Sequence, residues 1–383
     1  MNEDNHHAQS EPGRVLDTVV IGGGQAGLAI GYHLVRQHRD IVILDAYDRV
    51  GDAWRLRWDS LRLFTPAKFD GLPGLPFPGD RLGFPTKDEQ ADYLEAYASH
   101  FGLPVETGIH VDRVGRTGAH FVVDAGARQW EARNVVLATG GCHEPRVPEF
   151  AGRLAAPVLQ LHSSDYHSPA QLRPGPVLVV GMGNSGAEIA LDVSGSHATT
   201  VAGTPTGELP VRHGRAAARF VFPVVRFAGL HVLTFGTPIG RRALPKLARQ
   251  GAPLIRTKRV DLDAAGVTRV GRVVDVRDGK PAIADGSVLD VANVIWCTGF
   301  RDDLTWVDLP AFDDDGSLRQ HRGVVESVPG LYVIGREFMY AITSATLPGV
   351  SRDSVYLARR MRARRTAPAP ATSQTAASSA GVR

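Results

Sequence analysis

The stretch Leu16 to Asp45, LDTVVIGGGQAGLAIGYHLVRQHRDIVILD, constrains the fold of this chain more than any other. The apolar run Val19–Val20–Ile21 leads into Gly22-Gly23-Gly24-Gln25-Ala26-Gly27. A helical pattern follows through Leu28, Ile30, Leu34 and Val35, and a second apolar run, Ile41 to Leu44, closes on Asp45. This order predicts strand, glycine turn, helix and strand. Gly22 lets the chain turn, Gly24 leaves room for a pyrophosphate, and Gly27 lets helix and strand pack closely. The helix start offers free N–H groups and the positive dipole end to phosphates. Asp45 stands where a carboxylate accepts the hydroxyls of an adenosine ribose. A glycine cluster alone makes ordinary turns, but here all four parts occur in the required sequence.

The pattern returns at Val177 to Val180, followed by Gly181-Met182-Gly183-Asn184-Ser185-Gly186, a helix through Ile189, Ala190 and Leu191, and a strand at 199–202. No carboxylate ends this second strand, which runs on as Gly203-Thr204-Pro205-Thr206-Gly207. An acid there would select against a ribose 2′-phosphate, so its absence permits NADP. Recognition of that phosphate normally takes an arginine, and Arg212 and Arg215 are the nearest. The fold expected is α/β, with two Rossmann-like dinucleotide-binding domains, each carrying a small antiparallel meander. The first meander falls at 109–115, 119–124 and 128–138, the second at 267–276, 281–284 and 287–290. Each ends in a strand running into Thr-Gly, at Thr139-Gly140 and Thr298-Gly299. A last strand is expected at 330–335 and a closing helix at 349–365. The domain plan is then a disordered tail at 1–14, a first domain at 15–150 and a linker at 151–173. The second domain runs over 174–294, residues 295–365 return to the first, and 366–383 form another disordered tail.

Composition narrows the class. A formal charge of +3 argues against a dedicated nucleic-acid binder. Cys142 and Cys297 lie far apart and form no C-x-x-C pair, which fits a reducing compartment and removes a redox dithiol. No metal site is expected, and His6 and His7 read as part of the N-terminal tail. Neither a secretion signal nor an apolar run long enough to span a bilayer is present, so a cytoplasmic protein is expected. Residues 55–85 form a long connection whose apolar content predicts a packed loop, followed by a helix at 87–102. Segment 204–259 carries eleven basic residues against one acid, Glu208, interleaved with the apolar stretch Phe220 to Phe235. It reads either as a site for an anionic ligand or membrane surface, or as a solvated face over a packing segment.

From Val15 to Arg365 these features resemble the class B flavoprotein monooxygenases, which include the flavin-containing monooxygenases and plant YUCCA enzymes. The resemblance implies FAD at the first fingerprint, held by Gly22, Gly24, Gln25, Ala26, Gly27, Asp45 and Ala46. Trp54, in a Gly51-Asp52-Ala53-Trp54 similar to the family's G-G-x-W, joins them, as do Thr139, Gly140 and Gly335. It implies NADPH, with NADH possible, at Gly181, Gly183, Asn184, Ser185 and Gly186, with Thr204 and Arg212 near the 2′-phosphate. Relatives commonly carry an arginine where Thr204 stands. Thr298-Gly299-Phe300 matches the family's A-T-G-F/Y crossing. The motif F-x-G-x-x-x-H-x-x-x-Y/F is present in halves, Phe150-Ala151-Gly152 and His162 to Tyr166, with a longer spacing between them. His162 is accordingly a cofactor-side or linker residue. The implied activity is reduction of flavin by NAD(P)H and transfer of one oxygen atom from O2, through a flavin C4a-hydroperoxide, to an amine, sulfide or keto acid. Alternatives are an oxidase or reductase without a stable peroxide, and a non-catalytic FAD-binding regulator. Lys68 and Asn184 are the candidate catalytic side chains, against plain readings as a surface lysine and a helix-start residue. Arg336 is unexpected beside Gly335, where relatives tend to be apolar.

Overall fold

A computed structural model describes residues 14–142, 144–250 and 252–366 of the chain. Apart from Arg14 and Thr366, the tails expected at the two ends, with His6 and His7, lie outside those residues.

Strand β1 (Val15–Ile21) is buried almost throughout and turns at Gly22 into α1 (Gln25–Arg36). Strand β2 (Ile41–Leu44) follows, then the short α2 (Asp52–Arg55), then the packed loop up to α3 (Lys87–His100). Thr86 caps α3 by accepting from the Glu89 N–H, while the Glu89 carboxylate accepts from the Thr86 N–H. Tyr93 and Tyr97 on its inner face fasten the loop. The Tyr97 hydroxyl donates to the Pro73 carbonyl at 2.6 Å, and the Tyr93 hydroxyl donates to Leu75 and accepts from the Leu72 N–H. Strands β3 (Val105–Glu106), β4 (Arg113–Thr117), β5 (His120–Ala125) and β6 (Arg128–Leu137) complete the first unit.

Strand β6 changes partner along its length, and its sequence shows why. Residues 128–133 alternate between buried and exposed and pair antiparallel with β5, whereas 134–137 are continuously buried. That second part sits in the middle of a parallel array, covered on both faces. The sheet order is β3-β2-β1-β6-β5-β4.

Beyond β6 the chain passes through β7 (Glu144–Pro145) and β8 (Leu159–His162). The second unit then runs through β9 (Val177–Val180), α4 (Asn184–Ser194), β10 (Thr199–Ala202), α5 (Arg215–Phe220), α6 (Phe222–Phe227), α7 (Pro238–Gln250) and α8 (Arg259–Ala264). Strand β11 (Thr268–Val270), the hairpin β12 (Val273–Arg277) and β13 (Lys280–Ile283), and β14 (Asn293–Trp296) follow. Its sheet is parallel throughout, in the order β11-β10-β9-β14-β8. Segment 151–173, expected as linker, therefore supplies an edge strand, and β14 lies wholly in this sheet. Residues 268–270, expected in the second meander, instead extend the parallel array. What stays antiparallel is β12–β13, with one further bridge from Ala282 to Val288.

Strand β15 (Phe300–Arg301) returns alongside β7 as a short antiparallel pair. Strand β16 (Leu331–Val333) then joins the first sheet beside the buried part of β6, and α9 (Leu347–Thr366) packs on α1.

Candidate functional site

The first cradle is set by steric facts. Gly22 holds φ at +108°, and a Cβ there would lie 2.6 Å from the Ala138 carbonyl oxygen. A Cβ on Gly27 would lie 1.8 Å from the Gly22 carbonyl, so turn and helix touch backbone to backbone. Gly24 has nothing within 4 Å of that position: space stands open at the start of α1, where its free N–H groups point. Gly23 was missed in the sequence. Its Cβ would fall 2.7 Å from Asp45 Oδ2, so the middle glycine seats the acid. Burial raises the Asp45 carboxyl above its ordinary range, opposed by hydrogen bonds from the Tyr47, Gly23 and Ala46 backbone. Trp54 Nε1 donates to Gln25 Oε1 at 3.2 Å, and Gln25 Nε2 donates to the Ala345 carbonyl at 3.2 Å. These bonds tie α2, α1 and the approach to α9 into one rim. Gly335 closes it, since a Cβ there would come within 2.5 Å of the Ala26 Cβ. Gly22 to Gly27, Asp45 and Gly335 thus meet at the end of β1, Trp54 joins them through Gln25, Ala46 follows Asp45, and Thr139-Gly140 continue from β6 past Ala138.

The second cradle repeats this geometry. Gly181 has φ +122°, a Gly186 Cβ would lie 1.8 Å from the Gly181 carbonyl oxygen, and Gly183 again opens on free space. Ser185 is exposed at the start of α4, and Thr204 and Arg212 are exposed beyond β10. Asn184, a candidate catalytic side chain, is engaged by backbone at both ends of its amide. Its amide donates to the Pro253 carbonyl at 3.0 Å and accepts from the Ile255 N–H at 2.9 Å, so both ends fasten the 253–255 strap over α4.

Between the cradles, His162 ends β8 and is buried. Its Nε2 lies 3.0 Å from the Gly299 carbonyl, and its Nδ1 is 3.2 Å from the Ser164 N–H that donates to it, which makes Nε2 the protonated nitrogen. Burial holds its pKa below the ordinary value. Gly299 O also accepts from the Arg146 N–H, and Thr298 Oγ1 donates to the Arg146 carbonyl. His162, Thr298 and Gly299 thus splice the two crossings together. Tyr166 Oη donates to Asp192 on α4 at 2.7 Å, so the second half of the split motif clamps the crossing to the second unit. The longer spacing before His162 holds the end of a helical turn at Arg153, an irregular stretch and then β8. Arg336 pairs with Asp302 just after β15, joining the segment behind Gly335 to the return crossing. Its buried Nη1 has no partner among the described residues.

A family model described as pyridine nucleotide-disulphide oxidoreductase matches residues 19–213. The uncharacterized oxidoreductase CzcO of Bacillus subtilis is 35% identical over 350 residues, covering 91% of this chain and 99% of that protein. The probable indole-3-pyruvate monooxygenase YUCCA7 of Arabidopsis thaliana is 30% identical, covering 89% of this chain and 86% of that one. The solved flavin-containing monooxygenase from Stenotrophomonas maltophilia is 33% identical, with a TM-score of 0.73 over 92% of this chain and 99% of that one. The chain belongs to the flavin monooxygenase family. Within this family's fold it carries no redox dithiol. Cys142 and Cys297 are both free, and burial pushes the Cys297 thiol up to about 12. Among the described residues no group of three His, Cys, Asp or Glu side chains is placed to hold a metal ion.

The flavin monooxygenase chain covers its loop 62–85 with the basic segment. His213 Nε2 lies 3.1 Å from the Phe64 carbonyl and its ring lies tilted against Phe84 with centroids 3.9 Å apart, while Arg215 pairs with Asp80. Lys68, the other catalytic candidate, holds its ammonium 4.9 Å over the Phe69 ring. Its backbone N–H donates to Arg81 in the same loop, and among the described residues no hydrogen bond links its side chain to either cradle.

Proposed function

We propose that the chain is an FAD-containing monooxygenase that draws electrons from NADPH and oxygenates a small organic molecule. The observation that supports it most is the pair of glycine cradles with open space at Gly24 and Gly183, each at the start of a helix. The residues present fit a dinucleotide in both places, because a side chain at either glycine would occupy the ligand's path.

In the first cradle the α1 N–H groups hold the pyrophosphate of FAD, and Asp45 accepts the ribose hydroxyls. Gln25 and Trp54 fix the rim against which the cofactor lies, and Gly335 lets β16 end beside it. In the second, Gly183, Ser185 and the start of α4 hold the pyrophosphate of NADPH. No acid adjoins Thr204 in the sequence to oppose a 2′-phosphate, and Arg212 is the nearest arginine along the chain. When bound, FAD would supply the redox chemistry, two-electron reduction by the nicotinamide and delivery of one atom of O2 to substrate with the other released as water. The chain's own part is to align the two nucleotides and exclude water from between them. His162 sets the crossing by holding Gly299 O, and the Phe64–Phe84–His213 contact shields the loop. No side-chain nucleophile is required, which agrees with the absence of a triad from the sequence. The substrate class inferred is a soft nucleophile or an oxo acid, the latter in keeping with the name of the Arabidopsis relative.

The test uses purified yellow protein, NADPH or NADH, 18O2, and amine, sulfide and indolic keto-acid candidates. Label in the product, with little hydrogen peroxide, supports the proposal. Stoichiometric peroxide with every candidate indicates an oxidase, and no flavin reduction by either nicotinamide indicates a regulatory FAD-binding protein.

A further inference from the structure

Residues 215–232 form one ridge. Helix α5 passes through Val221, itself in right-handed helical conformation, into α6, and α6 continues into a π turn at Ala228–Val232. Its inner side is fully engaged. Ala217, Ala218, Phe222 and Leu230 are buried, the Gly229 carbonyl accepts from Thr343, and the Leu230 carbonyl accepts from Arg352. Its outer side is apolar. Phe220, Val224 and Phe227 are 68%, 65% and 61% exposed and stand at i, i+4 and i+7, so they form one stripe. Single exposed apolar residues are ordinary, but a continuous stripe of large ones marks a surface that is covered in use.

The rim of this stripe is cationic. Arg226 lies 5.1 Å over the Phe69 ring, whose neighbour Lys68 also stacks on it. Burial, and then the nearby charges of Arg81 and Arg219, hold the Lys68 ammonium below the usual range for lysine. Among the described residues no carboxylate pairs with Lys68, Arg81, Arg219 or Arg226, and neighbouring Asp80 is taken by Arg215. No acid occurs in the sequence between Glu208 and Asp261.

We propose that this ridge seats the protein on an anionic lipid surface, with Phe220, Val224 and Phe227 entering the headgroup layer while Arg219, Arg226, Lys68 and Arg81 meet lipid phosphates. Charge selects this occupant. A second copy related by two-fold symmetry would bring two uncompensated cationic rims together. A nucleic acid would meet three side chains with no hydrogen-bonding group where base edges and sugars need partners. An apolar stripe flanked by cations is the arrangement that lies in a membrane interface. No helix of the described residues is long and apolar enough to cross a membrane, so the association is peripheral. It stands independently of the reaction proposed above, and it turns loop 62–85 toward the bilayer.

The test is co-sedimentation of the FAD-loaded protein with vesicles of phosphatidylcholine alone or mixed with phosphatidylglycerol. The expected result is pelleting with the mixed vesicles only, weakened by salt. Phe220→Ser/Phe227→Ser and Arg219→Glu/Arg226→Glu should each weaken it by about tenfold or more, with far-UV circular dichroism and flavin absorbance reporting an intact fold. Parent protein that stays in solution with mixed vesicles overturns the proposal, as does undiminished binding by both variants. A parent dimer in size exclusion that Phe220→Ser/Phe227→Ser converts to monomer, without vesicle binding, assigns the stripe to self-association instead.

Discussion

Gly24 and Gly27 are three residues apart and answer to different neighbours. A methyl group at 27 would be driven into the Gly22 carbonyl, whereas one at 24 would meet nothing of the protein, and Gly24 has φ −75°, open to any residue. Gly27→Ala is therefore expected to lower the melting temperature of the flavin-free protein through backbone displacement. Gly24→Ala should leave that temperature within a degree or so and yet weaken FAD uptake by about tenfold or more, because the methyl group occupies the pyrophosphate's approach. Equilibrium dialysis and thermal melts of both variants separate fold from cradle, and equal loss of stability in the two would contradict this division. Thr204 poses a question of a different kind. It is exposed just past β10, with no acid beside it. Thr204→Arg adds a guanidinium suited to bidentate phosphate contact, so kcat/KM for NADPH relative to NADH should rise by about tenfold. A ratio unmoved by the change would place recognition elsewhere, with Arg212 the next residue to replace.

At the scale of elements, loop 55–85 is held by α3 through tyrosine hydroxyls, and it encloses a carboxyl with no countercharge. Asp70 is fully buried, Thr65 donates to its Oδ1, and its Oδ2 has no partner among the described residues. Burial pushes its pKa up to about 8, against the pull of the Thr65 hydrogen bond. The folded state thus holds a proton that the unfolded chain releases near pH 4, so this group favours folding below that value and loses its contribution as pH rises through about 8. Asp70→Asn keeps the acceptor for Thr65 and cannot ionise. Its stability should match the parent's near pH 4 and exceed it by a few kcal/mol near pH 9, on the order expected of a buried unpaired carboxyl. Melts across that range check it, and parallel curves would show that Asp70 is ionised and compensated. The loop also shows what was legible beforehand. Its packing followed from the aromatic content, α3 from its periodicity, and the cradles from glycine spacing, because each is a local rule. Strand β8, Leu-Gln-Leu-His, alternates for only four residues and has no β-branched side chain; β14 gives it an edge far along the chain, with His162 opposite Trp296. Likewise nothing adjacent to Asn184 announces that its amide is spent on Pro253 and Ile255.

At the scale of the whole molecule, two sheets, the first mixed and the second parallel, each carry a glycine bend, and the chain passes between them twice, through β7 and β15 held side by side. The crossings are stitched by His162, Thr298 and Arg146, none of which belongs to the glycine turns. Each cradle is built from its own strand and helix: Gly22 and Gly27 close on one another, and Gly181 and Gly186 do the same. Binding in one should therefore survive obstruction of the other. Gly183, like Gly24, has an ordinary φ of −80° and open space where a Cβ would stand. Gly183→Ala is expected to purify yellow, with its FAD content unchanged, while its dissociation constant for NADPH rises about tenfold or more. Gly24→Ala should show the reverse, losing flavin while retaining nicotinamide affinity measured on the flavin-free protein. Loss of flavin from Gly183→Ala would mean that the second unit helps to form the first site, and the crossings would then have to transmit that dependence. Retention would make the two sites separable units whose common function comes only from the geometry that His162 and Gly299 impose between them.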